Sequence, residues 1–224
     1  MPALLFGLTL ISCSSDYQNT PEGNTGSKSS AGIEINPTCC FECDAQVFGT
    51  VYERLIGSTD TIGQQALLDT CLERADFIPL YAEGYADIKT AELMVVITQG
   101  QGDFSTLQPL LELSDPAFGR LLQLVQGMSA LKAALADQRK VTDYILSSES
   151  LILRDSGIPA CEKKMLLTTS AIIRQRLDVE KRKKRKDRDW ELSIGHIAAT
   201  SYGAKYGRAN AITSALASLL AVKK

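Results

Sequence analysis

The sequence predicts an all-α fold: an irregular helical bundle with a long C-terminal helical segment, preceded by a disordered N-terminal tether. Three observations predict it. From Asp44 onward apolar residues recur at three- and four-residue spacing, as helices with one buried face require. Alternating strand patterns are scarce, the short piece Ile33-Glu34-Ile35 being the exception. Residues 14–30, SSDYQNTPEGNTGSKSS, hold one aromatic and no aliphatic side chain, too little apolar surface to offset the entropy of ordering. No fixed period recurs that would mark a repeat array.

Taken in order, Asp44 is placed to cap a first helix in which Val47, Val51 and Leu55 share a face, with Phe48 and Tyr52 beside them. Gly57 to Asp60 should stop it. A second helix is expected over about Thr61–Ala75, with Ile62, Ala66, Leu67 and Cys71 inward. Pro79 suits the first turn of a third, which carries Leu80, Gly84, Ile88, Ala91 and Val95 to about Gln99. Gly100-Gln101-Gly102 reads as a loop. Ser105 with Gln108 reads as a capping box before Leu110 and Leu111. Pro116 opens another helix with Phe118, Leu121, Leu122 and Val125 on one side, and Gly127 divides it from a further helix over Ser129–Leu146. Ser156 to Pro159 separates this body from the last quarter.

That quarter begins with a helix from Ala160 through Met165, Leu166, Ile172, Ile173 and Leu177. Its continuation, EKRKKRKDRD over 180–189, has no apolar side chain and is expected to project as a stalk or exposed turn. Beyond Trp190, Gly195, Ala199, Gly203, Gly207, Ala211 and Ala215 recur every fourth residue. Small residues at that spacing let a second backbone approach closely. A strict four-residue row drifts about 40° per step around the helix, so it suits a crossed contact. The segment is expected to pack as a core hairpin. The alternative is a glycine-zipper-like helix that self-associates or meets lipid.

Charge is divided along the chain. Residues 1–160 hold 9 Lys and Arg against 20 Asp and Glu, and residues 161–224 hold 15 against 6, so the net −2 hides an acidic body and a basic quarter. The two are expected to dock on each other. The run Lys181, Arg182, Lys183, Lys184, Arg185, Lys186 lacks interleaved aromatics, which argues against nucleic acid and for anionic lipid head groups or envelope polymers.

The N-terminus supplies an address. Ala3 to Ile11 is an apolar run too short to span a bilayer but long enough for the core of a signal peptide. It ends in Leu10-Ile11-Ser12-Cys13. This stretch resembles the lipobox of bacterial prolipoproteins, although Met1 and Pro2 offer no cationic side chain before it. The resemblance covers residues 1–13. It implies cleavage before Cys13, covalent lipid on that cysteine, and a periplasm-facing place in the cell envelope. Ser14 after the cysteine favours the outer membrane over the inner. Four segments follow: a signal peptide (1–12), a lipidated flexible tether (13–37), an acidic helical body (38–159) and a basic helical segment (160–224).

An exported chain meets an oxidising compartment, so Cys39, Cys40, Cys43, Cys71 and Cys161 are candidates for disulfides. The preferred arrangement ties the Cys39–Cys43 cluster to Cys71 and Cys161. Cys40-Phe41-Glu42-Cys43 is also a C-x-x-C, compatible with thiol-redox chemistry or half of a copper or zinc site, but no βαβ pattern surrounds it. His196, the one histidine, has no nucleophile or carboxylate at helical spacing, so no catalytic residue is expected. The expectation is therefore a non-enzymatic envelope lipoprotein without a cofactor beyond its lipid. It would bind a partner protein, an anionic surface or a second copy of itself through its basic quarter. The other reading is a thiol-redox or metal-binding protein centred on Cys39, Cys40 and Cys43.

Overall fold

The computed structural model describes residues 41–57, 88–134, 137–182 and 190–221. The expected lipobox and tether, Ile33–Ile35, the helix expected at 61–75 and residues 183–189 lie outside the described residues. Among those described the chain is all-α, with eight α-helices and no strand.

Helix α1 spans Phe41–Gly57. It begins ahead of Asp44, so Asp44 sits in the first turn with its side chain buried and does not cap. Its inward face is Ala45, Phe48, Val51 and Tyr52, and Val47 is only half-buried. The rotation away from Val47 follows from size, because the stacked Phe48 and Tyr52 rings, 5.5 Å between centroids, remove far more area from water than a valine does.

Helix α2 spans Thr90–Gly102. Leu93, Val96 and Ile97 point inward, while Ala91 is exposed and Val95 is 51% exposed. Gly100 lies inside the helix and not in a loop, because a Cβ there would stand 2.7 Å from the Ala198 methyl. The break comes at Asp103. Its carboxylate accepts from the Ser105 amide at 2.9 Å and the Ser105 hydroxyl at 2.7 Å, closing a 3-10 turn over Phe104–Leu107. Ser105 and Gln108 therefore form no capping box, and the Gln108 side-chain amide donates instead to Asp115 Oδ1 at 2.6 Å. Helix α3, Gln108–Leu111, is one turn that accepts Pro109 near its start.

Helix α4, Asp115–Ala133, opens with Pro116 and buries Ala117, Phe118, Leu121, Leu124, Val125 and Met128. It passes through Gly127 without a break. That glycine makes room for Tyr144, whose hydroxyl donates to the Gln123 carbonyl at 2.8 Å. The division falls later, where Asp137 accepts from the Lys140 amide at 2.9 Å and starts α5, Gln138–Arg154.

The turn after α5 is fixed by Arg120, which donates to Asp155 Oδ2 from Nε at 3.0 Å and Nη2 at 2.8 Å. Helix α6, Ala160–Arg182, is the longest element, about 35 Å at 1.5 Å per residue. Helices α7, Trp190–Lys205, and α8, Arg208–Ala221, form a hairpin whose corner is Gly207 at φ 124°, a conformation open to glycine.

The hairpin is the centre of the bundle. Residues 195–203 and 209–218 are buried without interruption, so both helices are enclosed on every side. Helices α2, α4 and α6 wrap α7, whereas α1 and α6 close over α8. One apolar cluster joins Leu93, Ile97, Phe118, Leu124 and Ile145 to Ile197 and Ala198; a second joins Phe48, Val51 and Tyr52 to Ile172, Ile212 and Leu216. The expected single ridge of small residues is divided by the corner. A Cβ on Gly195 would press on Ile97 of α2 at 3.0 Å, whereas one on Gly203 would lie 2.2 Å from the Asn210 carbonyl oxygen of α8.

Candidate functional site

Enclosing a hairpin of small residues places many polar groups in the core. Thr168, Thr169, Ser170 and Arg176 of α6, His196, Thr200 and Ser201 of α7, and Asn210, Thr213, Ser214 and Ser218 of α8 are all buried. Most hydroxyls settle on their own helix. Thr200 donates to the His196 carbonyl at 2.6 Å, Thr213 to the Ala209 carbonyl at 3.0 Å and Ser218 to the Ala215 carbonyl at 2.7 Å. Thr169 Oγ1, Ser201 Oγ and His196 Nε2 are buried without a hydrogen-bond partner.

His196 is 1% exposed. Its Nδ1 lies 3.1 Å from the Ala215 carbonyl oxygen and 2.9 Å from Ser218 Oγ. A carbonyl only accepts, and the Ser218 hydrogen is already directed at that same carbonyl. Nδ1 must therefore carry the proton, and Nε2 the lone pair. Phe48 of α1 lies against the ring at 5.7 Å between centroids. Burial holds the imidazole well below its ordinary value of 6.5, and the Arg176 guanidinium lowers it further.

Ion pairs fasten the rim. Asp44 takes Arg208 in a bidentate grip, with Nε at 2.8 and 3.0 Å from the two carboxylate oxygens and Nη2 at 2.7 Å. Arg174 of α6 pairs with Glu42 of α1 and lies 3.5 Å from Glu149 of α5, which also accepts from Ser170 at 2.9 Å. Burial raises the Glu149 carboxyl, and the Arg174 charge opposes that rise. At the hairpin corner Lys205 reaches Glu112 at 2.6 Å and lies over the Tyr202 and Tyr206 rings at 5.7 and 5.1 Å. Burial and the bond to Tyr206 push the Tyr202 hydroxyl up.

The structure does not gather the sequence-predicted site residues. Cys13, Cys39, Cys40 and Cys71 lie outside the described residues. Cys43 is exposed on α1 and is half of a disulfide. Cys161 is exposed on the first turn of α6 and keeps its thiol, so the expected tie to Cys161 is not made. Lys181 and Arg182 end α6, and Lys183, Lys184, Arg185 and Lys186 lie outside the described residues. Gly195, Ala199, Gly203, Ala211 and Ala215 are buried in the hairpin, with Gly207 at its corner, so this row offers no outer surface for self-association or lipid. Among the described residues no group of three or more His, Cys, Asp or Glu side chains is placed to hold a metal ion, and no helix is long and apolar enough to cross a membrane.

What sequence reading missed is the Asp44–Arg208 pair that joins α1 to α8. Its signal was present, because Arg208 and Asn210 interrupt an otherwise apolar or hydroxyl-bearing stretch and a charge among such residues demands a partner. No protein-family model, curated protein or solved structure matches this chain.

Proposed function

We propose that the chain is a non-enzymatic cell-envelope lipoprotein, a helical unit held on a flexible tether by lipid on Cys13. The observation that carries this reading is the apolar run ending in Leu10-Ile11-Ser12-Cys13, followed by residues 14–30 with their tether composition. The outer membrane is favoured by Ser14. The unit works as a structural or adaptor protein, meeting a partner protein or an anionic surface through Lys181 to Lys186. Two observations support that choice of surface. Arg174, Lys205 and Arg208 are taken up by Glu42, Glu112 and Asp44 within the bundle. The run 181–186 concentrates six of the fifteen cations of the basic quarter in one place.

Metabolic labelling with palmitate in a bacterial host, comparing the full chain with Cys13→Ala, tests the anchor. Label and membrane fractionation should be present in the parent and lost in the variant. An unlabelled parent in the soluble fraction, still beginning at Met1, would end the reading.

A second reading, thiol-redox or metal-binding chemistry at Cys39, Cys40 and Cys43, draws on the disulfide at Cys43. A cluster that cycles under mild reductant or arrives metal-loaded on purification would favour it. Disulfides inert to mild reductant would favour the structural role.

A further inference from the structure

We propose that His196 makes the central hairpin a proton-sensitive latch: the neutral ring locks α7 to α8 inside the bundle, and mild acid releases the hairpin from its wrapping helices. The inference rests on the placement of the ring and is independent of the lipid anchor. Nδ1–H is committed to the Ala215 carbonyl and the Ser218 hydroxyl of α8, which fixes the ring across the hairpin. Nε2 points into the core with no partner. Taking up a proton there forms one N–H bond, with the proton supplied by solvent, and breaks none in the chain. The product is a cation whose new donor has no acceptor, facing Phe48 on α1 and close to Arg176 on α6.

Among the described residues, these charged groups of the surrounding elements are paired with partners other than the ring. On α1, Glu42 serves Arg174 and Asp44 serves Arg208 of α8; on α5, Glu149 faces Arg174 and Ser170. On α2, Glu92 lies 3.5 Å from the Tyr202 hydroxyl; Glu112, after α3, holds Lys205; on α4, Arg120 holds Asp155. The enclosed ring therefore stays neutral while an exposed one does not. With the enclosed ring held below 6.5, the open state binds the extra proton, so the closed hairpin loses ground as pH falls below that value. One such proton shifts the opening equilibrium about tenfold between pH 7.5 and 5.5.

Amide hydrogen exchange on the full chain tests this, with intrinsic rates corrected for pH. The opening constant of α7 and α8 should rise about tenfold at pH 5.5 relative to pH 7.5. It should stay level in His196→Asn, whose amide replaces the Nδ1–H donor and does not titrate. The imidazole resonance, unique because the chain has one histidine, should show a neutral ring at pH 5.5 in the folded protein. A ring that titrates near 6.5, or equal exchange of α7 and α8 at the two pH values, would overturn the proposal. So would an equal rise in α5, which marks global unfolding, or an unchanged pH response in His196→Asn. Should that variant fail to fold, Ser218→Ala keeps the ring. It must then show the same tenfold response on a less stable baseline.

Discussion

A methyl group added at Gly203 would stand 2.2 Å from the Asn210 carbonyl oxygen, a backbone atom fixed by its own helix. At Gly127 the obstacle, at 2.1 Å, is the Tyr144 hydroxyl, the far end of a side chain that can swing away. At Gly119 there is open space. These three helical glycines form a graded series. Gly203→Ala should lower stability by roughly 1–3 kcal/mol through forced separation of α7 from α8. Gly127→Ala should lose about 1 kcal/mol with the Tyr144–Gln123 hydrogen bond. Gly119→Ala should gain roughly 0.5–1 kcal/mol from helix propensity alone. Urea midpoints give the ranking, and a Gly203→Ala protein as stable as Gly119→Ala would contradict the close approach.

Between elements, the seam joins α1 to the hairpin through Asp44 and Arg208. Removing the carboxylate leaves a guanidinium in a half-buried place without that partner, so Asp44→Ala should lower unfolding free energy by about 3 kcal/mol. Replacing both residues with apolar ones of similar volume should recover part of that loss, and a double-mutant cycle measures the coupling. A near-zero coupling would mean that the pair does not hold α1 in place. The same seam shows how far the sequence was legible. The helical class, the break at 156–159 and α6 with its buried Met165, Leu166, Ile172 and Ile173 and half-buried Leu177 follow from periodicity and punctuation. The faces of α1 and α2 do not, because both helices carry apolar residues on more than one side and only their neighbours select the inward one. Gly100 and Gly127 read as breaks for the same reason. A glycine that admits another side chain and a glycine that ends a helix look identical until the second chain is placed against it. The pairing of Asp44 with Arg208 spans the length of the described fold, a distance at which local spacing carries no information.

At the scale of the molecule, the acidic body and the basic quarter are not separable units. Both apolar clusters draw side chains from each side of Pro159, and the ion pairs Glu42–Arg174, Asp44–Arg208 and Glu112–Lys205 cross the same point. Residues 160–224 produced alone should therefore show no cooperative thermal transition, since α7 and α8 would expose the faces that α1, α2 and α4 cover. Mixing them with residues 36–159 should restore helical signal and a transition. A sharp transition in the isolated fragment would refute the shared core.

Because the hairpin follows in sequence every element described as wrapping it, the order of synthesis has a consequence. A nascent chain that has emerged as far as α6 already holds most of the first apolar cluster, whereas Ile212, Ala215 and Leu216 of the second are still to come. The second cluster, under α1 and α6, is completed only when translation has delivered α8. A premature stop before Arg208 therefore leaves Phe48, Val51 and Tyr52 of α1 without the α8 side chains that cover them.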